Sequence, residues 1–196
     1  MENENKKYID SQLKRIEEQQ KTNKAIFLTS TAVSLFTAAL ALGNFASGNE
    51  LQALQNTGTT IALGCYTIGY HHLFEINNFE KNNRLKELEN GTDYITQLKN
   101  RLIKLKTTIN RYKIYKNINL IAGSGFSLAT ISNIIRSINP EQGDNLALTT
   151  LSALISGVVA YLNFNMLAKT KGYIKYNEEE LSFVEEQLEE NQKLQK

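Results

Sequence analysis

The chain has 196 residues, 41% of them hydrophobic and 21% charged, with a formal net charge of +2 at pH 7. That length fits one ordinary domain, and so small a net charge excludes a chain that binds nucleic acid over its whole surface. A single cysteine, Cys65, excludes an internal disulfide, and with no Trp present Tyr and Phe must supply any membrane-interface belt.

Residues 1–24 are polar, with Lys6, Lys7, Lys14, Arg15, Lys21 and Lys24 around a short apolar stripe of Ile9, Leu13 and Ile16. This segment is expected to be a cytoplasmic N-terminal helix. It is too charged for a cleavable signal peptide, so the next stretch would itself act as the insertion signal.

Residues 25–74 contain two uncharged stretches, Ala25–Asn49 and Leu51–Phe74, parted by a turn at Gly48-Asn49-Glu50. A helix needs about 20 apolar residues to cross a hydrocarbon layer of roughly 30 Å, so each is long enough to span. They predict a transmembrane hairpin. The second stretch is the less apolar, with Gln52, Gln55, Asn56, Thr57, Thr59, Thr60 and Thr67, and it ends at His71-His72.

Residues 75–116 form a cytoplasmic segment with ten basic residues, expected to be a helical hairpin broken at Asn90-Gly91. Its second arm carries Ile95, Leu98, Leu102, Leu105, Ile109 and Tyr112, whose alternating spacing of three and four is a coiled-coil seam. Arg101, Lys104, Arg111 and Lys113 lie beside that seam, where an inner leaflet of anionic lipid would attract them at about 1 kcal/mol per residue.

Residues 117–168 repeat the plan with the uncharged stretches Asn117–Ile135 and Asn145–Ala168. Between them, residues 139–144 are acidic, with Arg136 at the border. Residues 169–196 form an acidic C-terminal helix with a second seam of Ile174, Leu181, Val184 and Leu188, among seven glutamates between Glu178 and Glu190. A basic seam and an acidic seam are natural partners.

Basic segments thus alternate with segments nearly free of Lys and Arg. That is the positive-inside pattern of four spans with both termini and the middle segment in the cytoplasm, and it places the chain in an inner (plasma) membrane. The fold class expected is an all-α integral membrane protein of four transmembrane helices. These form two tandem helix–span–span–helix units with a cytoplasmic helical, coiled-coil bundle. The turns Gly48-Asn49-Glu50-Leu51 and Gly143-Asp144-Asn145-Leu146 resemble each other, as do Tyr8-Ile9 and Tyr94-Ile95. Duplication and convergent hairpin chemistry both explain the likeness.

Polar residues inside spans must face other helices, other subunits or water. Asn56, Thr60, Asn119 and Asn133 are therefore candidate pore or inter-helix residues. Ser30, Ser34 and Ala38, and again Ser152, Ser156 and Ala160, recur at a spacing that permits close backbone approach, though chance in a Ser- and Ala-rich span explains them equally. Ile95, Leu98, Leu102, Leu105, Ile109, Leu181, Val184 and Leu188 are the candidate cytoplasmic interaction residues. Arg101, Lys104, Arg111 and Lys113 are the candidate inner-leaflet residues.

No enzyme chemistry is expected. Gly123-Ser124-Gly125 lies inside a span, without the preceding strand or following lysine of a phosphate loop. His71 and His72 diverge by about 100° on a helix and so do not chelate one metal. Cys65 has no cation beside it in the sequence to activate it. No cofactor, metal or catalytic residue is assigned.

Over the four uncharged stretches and the flanking helices around Ile95–Tyr112 and Ile174–Leu188, the plan resembles small four-span membrane components of bacterial anti-phage systems. Two such families are the membrane component of the Kiwa system (KwaA) and the four-span effectors of cyclic-oligonucleotide defence. The likeness is one of architecture and carries over no functional residue. It implies a tetramer-like homo-oligomer that senses infection and works with a soluble cytoplasmic protein, with no direct nucleic-acid contact. Two functions follow as expectations. One is an effector or sensor that perturbs or permeabilises the membrane; the other is a non-conducting anchor or scaffold that recruits a partner through its coiled coils.

Overall fold

The computed structural model describes residues 2–89, 94–140 and 145–194. Among the described residues all of the regular structure is α-helical: α1 (Glu2–Ala46), α2 (Glu50–Glu89), α3 (Tyr94–Ile138) and α4 (Leu146–Leu194). The sole proline, Pro140, lies two residues past the end of α3, where its missing N–H and fixed φ keep the helix from continuing. Asn90-Gly91, Tyr8-Ile9 and the likeness between the two turns rest on residues or side chains outside those described.

Three residues join α1 to α2. Asn49 N–H donates to Asn44 O at 2.9 Å and Gly48 N–H to Phe45 O at 3.2 Å, the paired bonds of a Schellman cap. Gly48 takes the left-handed conformation this requires, with φ of 79°. Asn145 caps α4, its Oδ1 accepting from Leu148 N–H at 3.2 Å.

The helices contribute to two compact units. The first comprises Met1–Lys24, His71–Ile114 and Thr170–Lys196; the second comprises Ala25–Tyr70 and Tyr115–Lys169. Their internal chemistry is opposite. In the first, large apolar side chains are inside: Leu73, Leu98, Leu105, Val184 and Leu188 are buried. Leu98 and Leu105 of α3 pack with Val184 and Leu188 of α4, flanked by Ile95, Leu102 and Leu181. Salt bridges from Arg101 to Glu180 (2.7 Å), Lys106 to Glu185 (2.9 Å) and Lys113 to Glu178 (3.1 Å) run beside this seam. The basic and acidic seams therefore meet within one chain. From Thr130 to Asn133 of α3 the α4 partner moves back from Ser156 to Ser152, so the helices run antiparallel.

In the second unit the interior is small and polar. Ala53, Ala62, Ala122 and Ser132 have no exposed surface, and Asn133 has 1%. Leu35, Leu42 and Leu148 are 65–71% exposed, among a long series of exposed Leu, Ile, Val and Phe. Large side chains outside and small polar ones inside suit a hydrocarbon solvent, not water.

Three helices, α1, α3 and α4, are long and apolar enough to cross a membrane over Asp10–Ala46, Ile95–Ile138 and Leu146–Asn191. The stretch Leu51–Phe74 of α2 does not reach that apolarity among the described residues, because Gln52, Gln55, Asn56 and four threonines dilute it.

Candidate functional site

The polar interior of the second unit is built largely around α2. Toward α1, Thr60 Oγ1 lies 2.9 Å from Thr37 Oγ1, and Thr67 donates to Ser30 Oγ at 3.0 Å. Toward α4, Gln55 Nε2 donates to Ser152 Oγ at 3.3 Å, and Tyr66 Oη donates to Asn163 Oδ1 at 2.9 Å. From α3, Arg136 Nη1 donates to Gln55 Oε1 at 2.8 Å. The one helix without a membrane-length apolar stretch among the described residues thus places its polar groups against all three others, which offsets the cost of removing them from water.

Within this unit α3 also bonds α4 directly, with Ser137 Oγ 3.4 Å from Thr150 Oγ1. Asn133 Nδ2 donates to Ser152 Oγ at 3.0 Å and Thr130 Oγ1 to Ser156 Oγ at 2.9 Å. Arg136, Gln55, Ser152 and Asn133 form one connected network, with Arg136 only 7% exposed. Four buried amide atoms have no partner among the described residues: Asn56 Nδ2, a donor, and Asn133 Oδ1, an acceptor, in this unit, and Asn77 Nδ2 and Asn83 Nδ2 in the first.

Of the residues singled out for a pore or inter-helix role, Thr60 and Asn133 belong to these interhelical contacts. Asn56 is buried beside them in sequence, and Asn119 is half-buried on α3 outside the network. Ser30 and Ser34 face α2, with Ser34 Oγ donating to Thr60 O at 3.4 Å, while Ser152 and Ser156 accept bonds from neighbouring helices. The small-residue stripes are therefore contact faces.

The closest approach lies elsewhere. A Cβ added to Gly58 would stand 2.5 Å from Gly125 O and 3.0 Å from Ala129 N. One added to Gly125 would stand 2.5 Å from Gly58 O and 3.0 Å from Ala62 N. Gly58 with Ala62 on α2 thus crosses Gly125 with Ala129 on α3, each pair four residues apart and the two running antiparallel. That spacing was visible in the sequence as Gly-x-x-x-Ala, but its pairing was not. Arg136 and Tyr66 were likewise missed, one taken as a loop border and the other carrying no spacing signal.

In the first unit, the candidate interaction residues Ile95, Leu98, Leu102, Leu105, Leu181, Val184 and Leu188 are occupied with one another. Ile109 is buried as well. Of the inner-leaflet candidates, Arg101 and Lys113 are held by Glu180 and Glu178, and Arg111 Nη2 by Glu80 (2.6 Å) and Asn77 Oδ1 (2.8 Å). Only Lys104 is exposed without a salt bridge among the described residues. Three of the four charges expected to face lipid are thus paired with carboxylates of the same chain, Arg101 and Lys113 at about half exposure.

Lys81 holds Glu17 at 2.7 Å and lowers its carboxyl below the ordinary value of 4.5 by hydrogen bond and charge. His71 and His72 both approach Glu75, at 3.6 and 3.4 Å. His72 and Glu75 line an open groove of about 440 Å³ between α2 and α3. Cys65 Sγ lies 4.0 Å from two α3 carbonyl oxygens. Among the described residues, no three His, Cys, Asp or Glu side chains are grouped to hold a metal. Comparison of the chain with known protein families, curated proteins and solved structures gives no match.

Proposed function

We propose that the chain is a four-span, non-enzymatic protein of the inner (plasma) membrane, with both termini cytoplasmic, that acts as a homo-oligomer. With a soluble cytoplasmic partner it perturbs or permeabilises the bilayer, as an effector or sensor of anti-phage defence. The second unit supports the membrane assignment, because its large apolar side chains face outward and its polar ones inward. Inclusion of α2 as a span is supported by its bonds to α1, α3 and α4.

The observation that carries the effector reading is that two of the four unpartnered amide atoms, on Asn56 and Asn133, lie inside the unit whose large apolar side chains face outward. Each buried, unpaired amide costs about 1–3 kcal/mol unless water reaches it. A bundle wet at that level, inside a lipid-facing shell, has the beginnings of a pathway. A second reading, the non-conducting scaffold, is favoured by the bonds of Thr60 and of the Asn133 Nδ2 group to neighbouring helices.

Liposomes carrying the full chain, with and without cytoplasmic proteins encoded beside it, separate the two. Ion or dye flux that is lost in Asn56→Leu and Asn133→Leu, with assembly retained, is the expected result. No flux in either condition, with a partner held on the vesicles, supports the scaffold instead.

A further inference from the structure

Within the first unit, charge is left over in a sorted way. Glu178, Glu180 and Glu185 of α4 are used by Lys113, Arg101 and Lys106 of α3. Glu186, Glu189 and Glu190 are exposed and make no salt bridge among the described residues, and Glu179 meets only Lys175, at 3.9 Å. On α1 the surplus has the opposite sign, as it has at Lys99 and Lys104 of α3. Lys14, Arg15, Lys21 and Lys24 are exposed and make no salt bridge among the described residues. The one exposed, unbridged carboxylate between them is Glu18.

The acidic surplus on α4 lies beside exposed aromatics. Tyr176 is 66% and Phe183 53% exposed, in a unit whose other large apolar side chains are mostly inside. They are seven residues apart, two helical turns, and therefore share a face. At 100° per residue that face also carries Glu179, Glu186 and Glu190 along one edge, about 140° from the seam that packs on α3. An aromatic stripe edged with carboxylates matches a helix face of Lys and Arg. The cations pair with the carboxylates, and they and their alkyl stems cover the rings through cation–π contact.

We propose that the outer face of α4 (Tyr176, Glu179, Phe183, Glu186) docks on the basic face of α1 (Lys14, Arg15) of a second copy of this chain. The occupant is a second copy because this chain carries both complementary faces and satisfies neither internally. The contact is head-to-tail: each copy offers an acidic face and receives one on its basic face. Such a heterologous contact repeats from copy to copy and closes into a ring where its rotation permits, so the association goes beyond a dimer. This inference deepens the homo-oligomeric reading above and rests on it.

The test is charge reversal in the full-length protein in detergent micelles, read by mass from light scattering. Helix content is checked by circular dichroism. Glu179→Lys with Glu186→Lys, or Lys14→Glu with Arg15→Glu, is expected to weaken association about tenfold or more, as for two or three exposed ion pairs turned repulsive. Joining both reversals in one chain restores the oligomer, and mixing the two singly reversed proteins yields an alternating complex. In a Cys65→Ser background, Arg15→Cys and Glu179→Cys are expected to form a disulfide between copies.

An oligomer indifferent to either reversal overturns the proposal, as does failure of the combined reversal to recover it. Purified wild type that remains monomeric overturns the homo-oligomer reading itself. A foreign protein held by the α4 face, with self-association unaffected, assigns that face to another partner.

Discussion

Gly125 is the position where a single methyl group decides most. Its absent Cβ lets α2 and α3 approach until a carbonyl oxygen occupies the site the methyl would take. Gly125→Ala is expected to cost about 1–3 kcal/mol in detergent-solubilised unfolding, as overpacking does elsewhere. Gly172→Ala, at a helical site with nothing within 4 Å, should instead gain about 0.5–1 kcal/mol from lost chain entropy. Equal effects at the two sites would deny the crossing. Glu17 gives a pH signature at the same scale. Its folded carboxyl titrates below 4.5, so the Lys81 contact contributes stability above pH 4.5 and loses it as pH falls through the lowered value. NMR titration of Glu17 should show this depressed midpoint, and Lys81→Ala should return it toward 4.5. Neither feature was legible beforehand. Both depend on which residue of a distant helix stands opposite, and a one-dimensional spacing does not carry that.

At the level of elements, the α3–α4 pairing was legible and the nature of α2 was not. The seam of Leu98, Leu102 and Leu105 announces itself by heptad spacing. The opposite charges beside it point to α4, because charge and periodicity are local properties of each helix. Its energetics divide unevenly. Leu105→Ala, at a nearly buried position, is expected to cost about 2–5 kcal/mol, whereas Arg101→Ala should cost about 1 kcal/mol or less because its ion pair is half exposed. Thermal melts of the two variants check this order, and a larger loss at Arg101 would contradict it. For α2, summed apolarity counts each Gln and Thr as though it faced the solvent. The interhelical bonds of Gln55, Thr60, Tyr66 and Thr67 show that these four do not. The seam residues were also expected to meet a partner, and they are filled from within the chain.

Across the whole molecule, two chemistries alternate along every helix. A helix of 45 residues, such as α1, is about 68 Å long, more than twice the thickness of a hydrocarbon layer. The absence of charge over long stretches made that alternation readable from the sequence. The inside-out packing of the uncharged part was not, because it requires knowing which side of each helix is covered. The proposed orientation has a direct check in a Cys65→Ser background. Ser47→Cys, in the α1–α2 turn, should react with a membrane-impermeant maleimide applied to intact cells. Ser182→Cys, exposed on α4, should react only after permeabilisation. Labelling of both sites from outside would reject four spans with cytoplasmic termini.

The three-residue link at Ser47–Asn49 also bears on how such a chain is made. With so short a connection, α1 and α2 leave the ribosome as one hairpin, and Thr60 and Thr67 find Thr37 and Ser30 at once. Gln55 Oε1 meets Arg136 once α3 is made, but Gln55 Nε2 and Tyr66 must wait for α4, the last of the four helices to be synthesised. In a bilayer the half-made chain therefore holds an uncovered amide and an uncovered phenol until translation ends. A product truncated before α4 would advertise its own incompleteness to the proteases that patrol the membrane.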